Sequence, residues 1–205
     1  METNQPSRLQ TVLRIAVAPE KMGRFLRLFT AGVSLSVQIG GTLEELICGQ
    51  LGVSEDYLEN RIQTIFVNFK AVDAPEKAVV NEGAVVTLSA AMPGLVGATM
   101  RKGGTLAGFR SGISCAQGEE CREPARGWIT LKLLNMVARE LGPALLAAGV
   151  YVEGPRIESF LKEIASELAI ETSELQLNDS LVPLERVIDL KLPDEVVHLV
   201  VDRQR

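Results

Sequence analysis

Sliding the chain along itself by 117 positions, so that residue 31 meets residue 148, pairs Ala31-Gly32-Val33 with Ala148-Gly149-Val150, Ile47 with Ile164, Leu51 with Leu168 and Leu58 with Leu175. Six identities fall within the 28 ungapped positions from 31 to 58, where average composition predicts about two. An internal repeat limits the fold more strongly than any single motif, because each copy must form one supersecondary unit. Both copies read as a helix ended by glycine, then a strand, then a helix whose apolar stripe keeps register. With gaps allowed, Val17-Ala18-Pro19-Glu20 is similar to Val137-Ala138-Arg139-Glu140 upstream, and Ala84 to Leu88 is similar to Glu195 to Leu199 downstream.

Local patterns fill in the copies. Leu9 to Ala18 reads as a strand, and Pro19 suits a first helical turn, with Met22, Phe25, Leu26 and Phe29 at helical spacing before Gly32. Phe25 to Phe29 also alternates, so helix and strand both stand for that piece. Val33 to Ile39 is a strand, and Thr42 with Glu45 makes a capping box ahead of the stripe Leu43, Leu46, Ile47 and Leu51. Ser54 suits the cap of a further short turn. Ile62 to Val72, rich in β-branched and aromatic residues, reads as one strand bent near Asn68, and Ala84 to Ala91 as another after the Asn81-Glu82-Gly83 turn. Beyond residue 127 the pattern predicts a strand over Trp128 to Leu133, a helix over Leu134 to Ala147 interrupted near Gly142-Pro143, and a strand over Val150 to Glu153. A helix follows over Pro155 to Leu168, and Asp194 to Asp202 reads as a buried strand. The glycines and polar residues of Met92 to Gly127 read as a long connection.

Composition narrows the function classes. At 205 residues the chain can bury a core without staples. Aromatic residues make up only 4%, too few for a base-stacking platform, and a net charge of -5 disfavours nonspecific attraction to nucleic acid or anionic membranes. No apolar run reaches spanning length, and Met1 to Arg8 lacks the apolar core of an export signal. Cys48, Cys115 and Cys121 are odd in number, as free thiols in a reducing compartment would be. The expected address is therefore cytoplasmic, with no nucleic acid, no membrane, and no metal or other cofactor.

Residues 24 to 98 resemble the ubiquitin-like β-grasp proteins of the sulfur-carrier type, which serve thiamine and molybdopterin synthesis. The likeness rests on an order of elements: a hairpin-like Phe25 to Val37, the helix from Thr42, Ile65-Phe66-Val67-Asn68, the Glu82-Gly83 turn before Val85-Val86-Thr87-Leu88, then Met92-Pro93-Gly94. Those carriers have an Asp-Gly-Asp turn where this chain reads Glu-Gly-Ala, and they end in an activatable Gly-Gly. Here Gly103-Gly104 lies mid-chain and the sequence ends in Gln204-Arg205. The resemblance implies a fold and transfers no carrier chemistry. The expected fold class is thus α+β, a β-grasp-like unit internally duplicated, with a first unit over 1–91, a Gly-rich connection over 92–127 and a related unit over 128–205.

Candidate chemistry is sparse. Arg101, Lys102, Gly103, Gly104 and Arg110 lie in the Gly-rich segment, whose amides and cations suit an anionic group, although no phosphate-loop motif is present. Gly112 to Ala116 falls one residue short of a nucleophile elbow, and the single histidine, His198, lies in the valine-rich strand. Cys115 as a nucleophile lacks a base, and the carboxylates sit on exposed helical faces. The expected function is a non-enzymatic binding or assembly protein with a protein partner. The alternative is an anionic-ligand binder or enzyme using residues 94–112. Burial of Val197, Leu199 and Val201 is expected, together with a homodimer that covers strand edges.

Overall fold

A computed structural model describes residues 11–91, 97, 99–104, 125–168 and 174–204. The fold is α+β, with mixed sheets and helices. By contacts the chain divides into two compact units, Phe25–Leu145 and Met1–Arg24 with Leu146–Arg205. A division at 92 and 128 follows the order of the repeat, whereas this one follows the contacts between elements.

The 25–145 unit contains β2 (Val33–Ile39), β3 (Thr64–Val67), β4 (Lys70–Ala71), β5 (Val85–Ser89) and β6 (Ala125–Leu134). Their spatial order is β4-β3-β5-β6-β2. The β5/β6 pair is parallel and all the others are antiparallel. One face is apolar: Val33, Leu35 and Val37 of β2, Ile129, Leu131 and Leu133 of β6, Val86 and Leu88 of β5, and Ile65 and Val67 of β3 are all buried. Leu43, Leu46, Ile47, Leu58 and Ile62 complete this core from the helical segment between β2 and β3.

That segment forms as its sequence dictates. The Thr42 N–H donates to Glu45 Oε2 at 2.8 Å, and the Glu45 N–H donates to Thr42 Oγ1 at 3.2 Å, closing the capping box in both directions. Glu45–Gln50 then winds as a π-helix, and α3 (Glu55–Asn60) begins where Ser54 Oγ accepts the Tyr57 N–H at 3.2 Å. The earlier ambiguity resolves toward helix. Residues 19–31 form a 3-10 turn, α1 (Met22–Phe25) and α2 (Arg27–Ala31), because Phe25, Leu28 and Phe29 are buried at helical spacing.

The unit also carries α4 (Asn135–Ala148), which runs unbroken through Pro143 where the sequence suggested an interruption. Its Gly142 has a packing reason, since a Cβ there would come within 2.5 Å of Leu26 Cδ2 and 3.3 Å of Phe29 Cε2. The single bent strand expected over Ile62 to Val72 is instead the β3–β4 hairpin. Asn68 and Phe69 both take positive φ, of 50° and 65°, and reverse the chain in two residues.

The other unit contains β1 (Val12–Val17), β7 (Val150–Glu153), β8 (Glu174–Leu177), β9 (Ser180–Val182) and β10 (Val196–Arg203), with α5 (Gly154–Leu168) between β7 and β8. The spatial order is β7-β10-β1-β8-β9, with β1/β10 parallel and the rest antiparallel. Its core joins Leu13, Ile15 and Val17 to Val197, Leu199 and Val201, with Ile157, Leu161 and Ile164 of α5. The expected burial of the valine-rich strand is therefore observed. β10 lies between β1 and β7, Val196 to Leu199 pairing with β7 and His198 to Arg203 with β1. The β8–β9 hairpin has no counterpart in the local sequence reading, because strands of four and three residues are too short to show a period. Its turn, Asn178-Asp179, repeats the geometry of Asn68-Phe69, with φ of 48° and 65°.

Candidate functional site

The described part of the Gly-rich segment is held by the protein itself. The Lys102 N–H donates to the Gln63 carbonyl at 2.7 Å, and its ammonium donates to the Leu58 carbonyl at 2.8 Å. Lys102 thus caps the C-terminal end of α3, where unpaired carbonyls favour a cation. Burial pushes its ammonium below the ordinary lysine value. The Gly103 N–H donates to Asp73 Oδ1 at 3.1 Å, and the Gly104 N–H to the Arg101 carbonyl at 3.1 Å. Lys102, Gly103 and Gly104 therefore spend donors on internal acceptors. Arg101 is exposed, and Arg110 lies outside the described residues.

A second polar cluster joins α3 to α4. Glu140 Oε2 accepts from Tyr57 Oη at 2.5 Å and from Arg61 Nε at 3.0 Å, while Oε1 accepts from the other arm of the same guanidinium. This fork holds the Glu140 carboxyl down at about 2, chiefly through the Arg61 hydrogen bonds and then that of Tyr57. Burial, followed by the bond to Glu140, pushes the Tyr57 hydroxyl well above its ordinary range. Both oxygens of the carboxylate are engaged, which suits a clamp between helices better than proton transfer.

His198 is a sheet histidine. It lies opposite Tyr151 across the β10/β7 pair, and the rings stack with centroids 4.7 Å apart. Burial, with a smaller contribution from Arg14, holds its pKa below the ordinary value and so favours the neutral ring. Cys48 is partly exposed, and burial with the nearby Glu44 and Glu55 raises its thiol pKa, opposite to what a nucleophile needs. Cys115 and Cys121 lie outside the described residues. Among the described residues no group of three His, Cys, Asp or Glu side chains could hold a metal, and no helix is long and apolar enough to cross a membrane.

The remaining feature is the outer face of the 25–145 sheet. Strand alternation turns Arg126, Trp128, Thr130 and Lys132 of β6 away from the core. In register beside them stand Gln38 opposite Arg126, Ser36 opposite Trp128 and Ser34 opposite Thr130. On the other flank Thr87 pairs with Lys132. Arg126 Nε donates to Ser36 Oγ at 3.1 Å, which lays the guanidinium along the face. Trp128 is 40% exposed. Its backbone is pinned, since its N–H donates to Glu82 Oε2 at 2.9 Å and its carbonyl accepts the Gly83 N–H at 2.7 Å.

No family model, curated protein or solved structure matches the chain. The geometry of the face is thus the basis for a functional reading. Sequence reasoning began the strand at Trp128 and missed the row. Its signal was there, in the alternation Arg126-Gly127-Trp128-Ile129-Thr130-Leu131-Lys132-Leu133.

Proposed function

We propose that this chain is a non-enzymatic binding or assembly protein, made of two β-grasp-like units that arose by duplication, and that it meets a protein partner through the outer face of the 25–145 sheet. The observation that carries the reading is Trp128, a large aromatic on a pinned strand whose ring is part-exposed among hydroxyl and cationic neighbours. Contact energy concentrates on such tryptophans and arginines.

Duplication is supported by the order of elements along the chain: strand, helix, strand, helix, then three strands, followed by the same series again. The two positive-φ Asn turns fall at the same place in that series. In this reading β6 joins the sheet of the first copy and β1 that of the second, at places that do not match: β6 lies between β2 and β5, while β1 lies between β10 and β8 and stands to β8 as β5 stands to β3. The placement of β6 and β1 accounts for compact units that cut the chain at 24/25 and 145/146. The central position of β10, between β1 and β7, supplies one role that a homodimer would otherwise fill. Light scattering reads the oligomeric state directly.

The anionic-ligand alternative asks for free donors on Lys102 and Gly103, which are engaged with Leu58, Gln63 and Asp73. Two measurements test the proposal together. A thermal-shift screen with nucleotides, phosphosugars and acyl-CoA is expected to give no shift, where a ligand at about 100 times its Kd would add roughly 2.7 kcal/mol. A photo-crosslinking aromatic placed at Trp128 is expected to give discrete protein adducts that the same group at exposed Lys162 does not. Equal adduct patterns at the two positions, or a saturable shift with any anion, would overturn the reading.

A further inference from the structure

The outer row of β6 carries charge of one sign. Arg126 and Lys132 flank Trp128, and the outward residues of the neighbouring strands are Ser34, Ser36 and Gln38 on one side and Val85 and Thr87 on the other. Among the described residues no carboxylate belongs to that row. The nearest one placed by hydrogen bonding, Glu82, accepts the Trp128 N–H and would meet a Cβ at the inward-facing position 127, so it sits toward the other side of the strand. A cationic row on a chain of net charge -5 runs against the overall balance, and charge complementarity across an interface sets both partner choice and encounter rate.

We infer that the Arg126–Trp128–Lys132 row is a docking track for an acidic, extended segment of a partner protein, in which two carboxylates meet Arg126 and Lys132 and an apolar side chain between them lies on the Trp128 ring. This inference rests on the reading of the face as a protein-contact surface and names its partner class. Six residue steps along β6 separate the two cations, about 20 Å. An extended segment therefore places its carboxylates six residues apart, while a helix would need about thirteen to span the same distance. Ser36 orients the Arg126 guanidinium for two-point contact with a carboxylate. Thr130 and Ser34, opposite one another, offer hydroxyls to the backbone of such a segment.

Trp128 is the only tryptophan in the chain, so its emission reports on the track without a label. The probes are a 15-residue Glu/Ser/Leu peptide with glutamates six apart, the same peptide with Gln for Glu, a 15-residue oligothymidylate and inorganic phosphate, each titrated against the full chain. The expected result is a saturable emission change with the acidic peptide alone. Binding should weaken at least tenfold in the Arg126→Glu/Lys132→Glu double variant and at least tenfold between 50 and 500 mM salt. Lys102→Ala, which touches α3, should leave it unchanged. Unaltered thermal unfolding of the double variant confirms that it is folded, and Arg126→Gln alone gives an intermediate loss should the double variant unfold early. Equal binding of the Gln peptide, with the Trp128-dependent crosslink retained, overturns the acidic-partner inference and leaves the contact-surface reading standing. Tighter binding of the oligothymidylate or of phosphate overturns both, as does silence with every probe combined with no Trp128-dependent crosslink.

Discussion

Asn68 holds the first residue of β5 from two sides: its N–H donates to the Val85 carbonyl at 2.9 Å, and its side-chain Oδ1 accepts the Val85 N–H at 2.9 Å. Asn178 does the same to Val12, the first residue of β1, with both bonds again 2.9 Å long. Each asparagine also takes the positive φ that its two-residue turn requires, a conformation asparagine tolerates better than most residues. One side chain thereby sets both the turn and the register of the neighbouring strand. Asn68→Ala and Asn178→Ala should each destabilise by about 2 kcal/mol, combining a lost acceptor with backbone strain. Asn68→Gly, which keeps the turn and loses only the acceptor, should cost less. Urea unfolding ranks the three, and equal losses for Ala and Gly would show that the turn strain is negligible.

Phe69 follows in the same turn with φ of 65° while 75% exposed, where its counterpart in the other hairpin is Asp179. A bulky residue in the left-handed region is strained by about 1–2 kcal/mol, and little burial offsets it here. Phe69→Gly is expected to stabilise by up to about 1 kcal/mol after the entropic cost of glycine. For a chain of this size that raises Tm by about 2–4 °C, measured by calorimetry.

Gly149 has φ of 98°, and a Cβ on it would collide with the His198 ring. Gly149→Ala therefore combines backbone strain with overpacking, and a loss of about 2–3 kcal/mol is expected in chemical denaturation. The accompanying spectroscopic sign is a change in the Tyr151 signal, because the stacked ring has to move.

His198 gives stability a pH dependence. Its folded-state pKa lies below the ordinary 6.5, by burial first and Arg14 second, so the unfolded chain binds the extra proton more readily. The contribution is fully present above about 6.5 and is lost as pH falls through that value toward the folded pKa. The urea midpoint should drop between pH 7.5 and 5.5. His198→Phe, which keeps a ring against Tyr151, should flatten that part of the curve.

Glu140 acts lower on the scale. Its carboxyl is held at about 2 against an ordinary 4.5, so its contribution is present above 4.5 and lost as pH falls toward 2. Glu140→Gln should reduce the slope of stability between those values, leaving the part due to Glu158, which the Leu192 N–H also holds below its ordinary range, and leaving the His198 region unaltered. A slope unchanged by the substitution would show that Arg61 and Tyr57 do not bind the carboxylate in solution.

Much of the local structure was legible because its causes are local. Val33–Ile39 and Val150–Glu153 coincide with the strands read from alternation. The Thr42–Glu45 box and the Ser54 cap form as their spacing implies, since each needs only three intervening bonds of chain. The 117-residue offset matches the starts of β2 and β7 and then lapses. A π-helix and α3 lie between β2 and β3 where one helix lies between β7 and β8, so Asn68 and Asn178 are 110 positions apart.

The candidate surface was less legible. Trp128 was read as a strand residue, and the alternation around it marks the polar side, but only the sheet sets which strands flank it. Lys102 looked like an anion contact because it stands with other cations among the amides of a Gly-rich segment, and only the fold brings the Leu58 carbonyl, 44 positions away, within 2.8 Å.

Periodicity and caps, which act over a few residues, determined most of the longer elements of this protein and the burial of Val197, Leu199 and Val201, but not the β3–β4 and β8–β9 hairpins. Tertiary structure alone decided the partners. β1 runs parallel to β10 with Val12 beside His198, and β5 runs parallel to β6 with Val85 beside Thr130. An apolar strand face fits many neighbours equally well, and a parallel pairing leaves no turn in the sequence to announce it. The choice is made by the whole core, when β6 fills the place between β5 and β2 and turns Arg126, Trp128 and Lys132 outward.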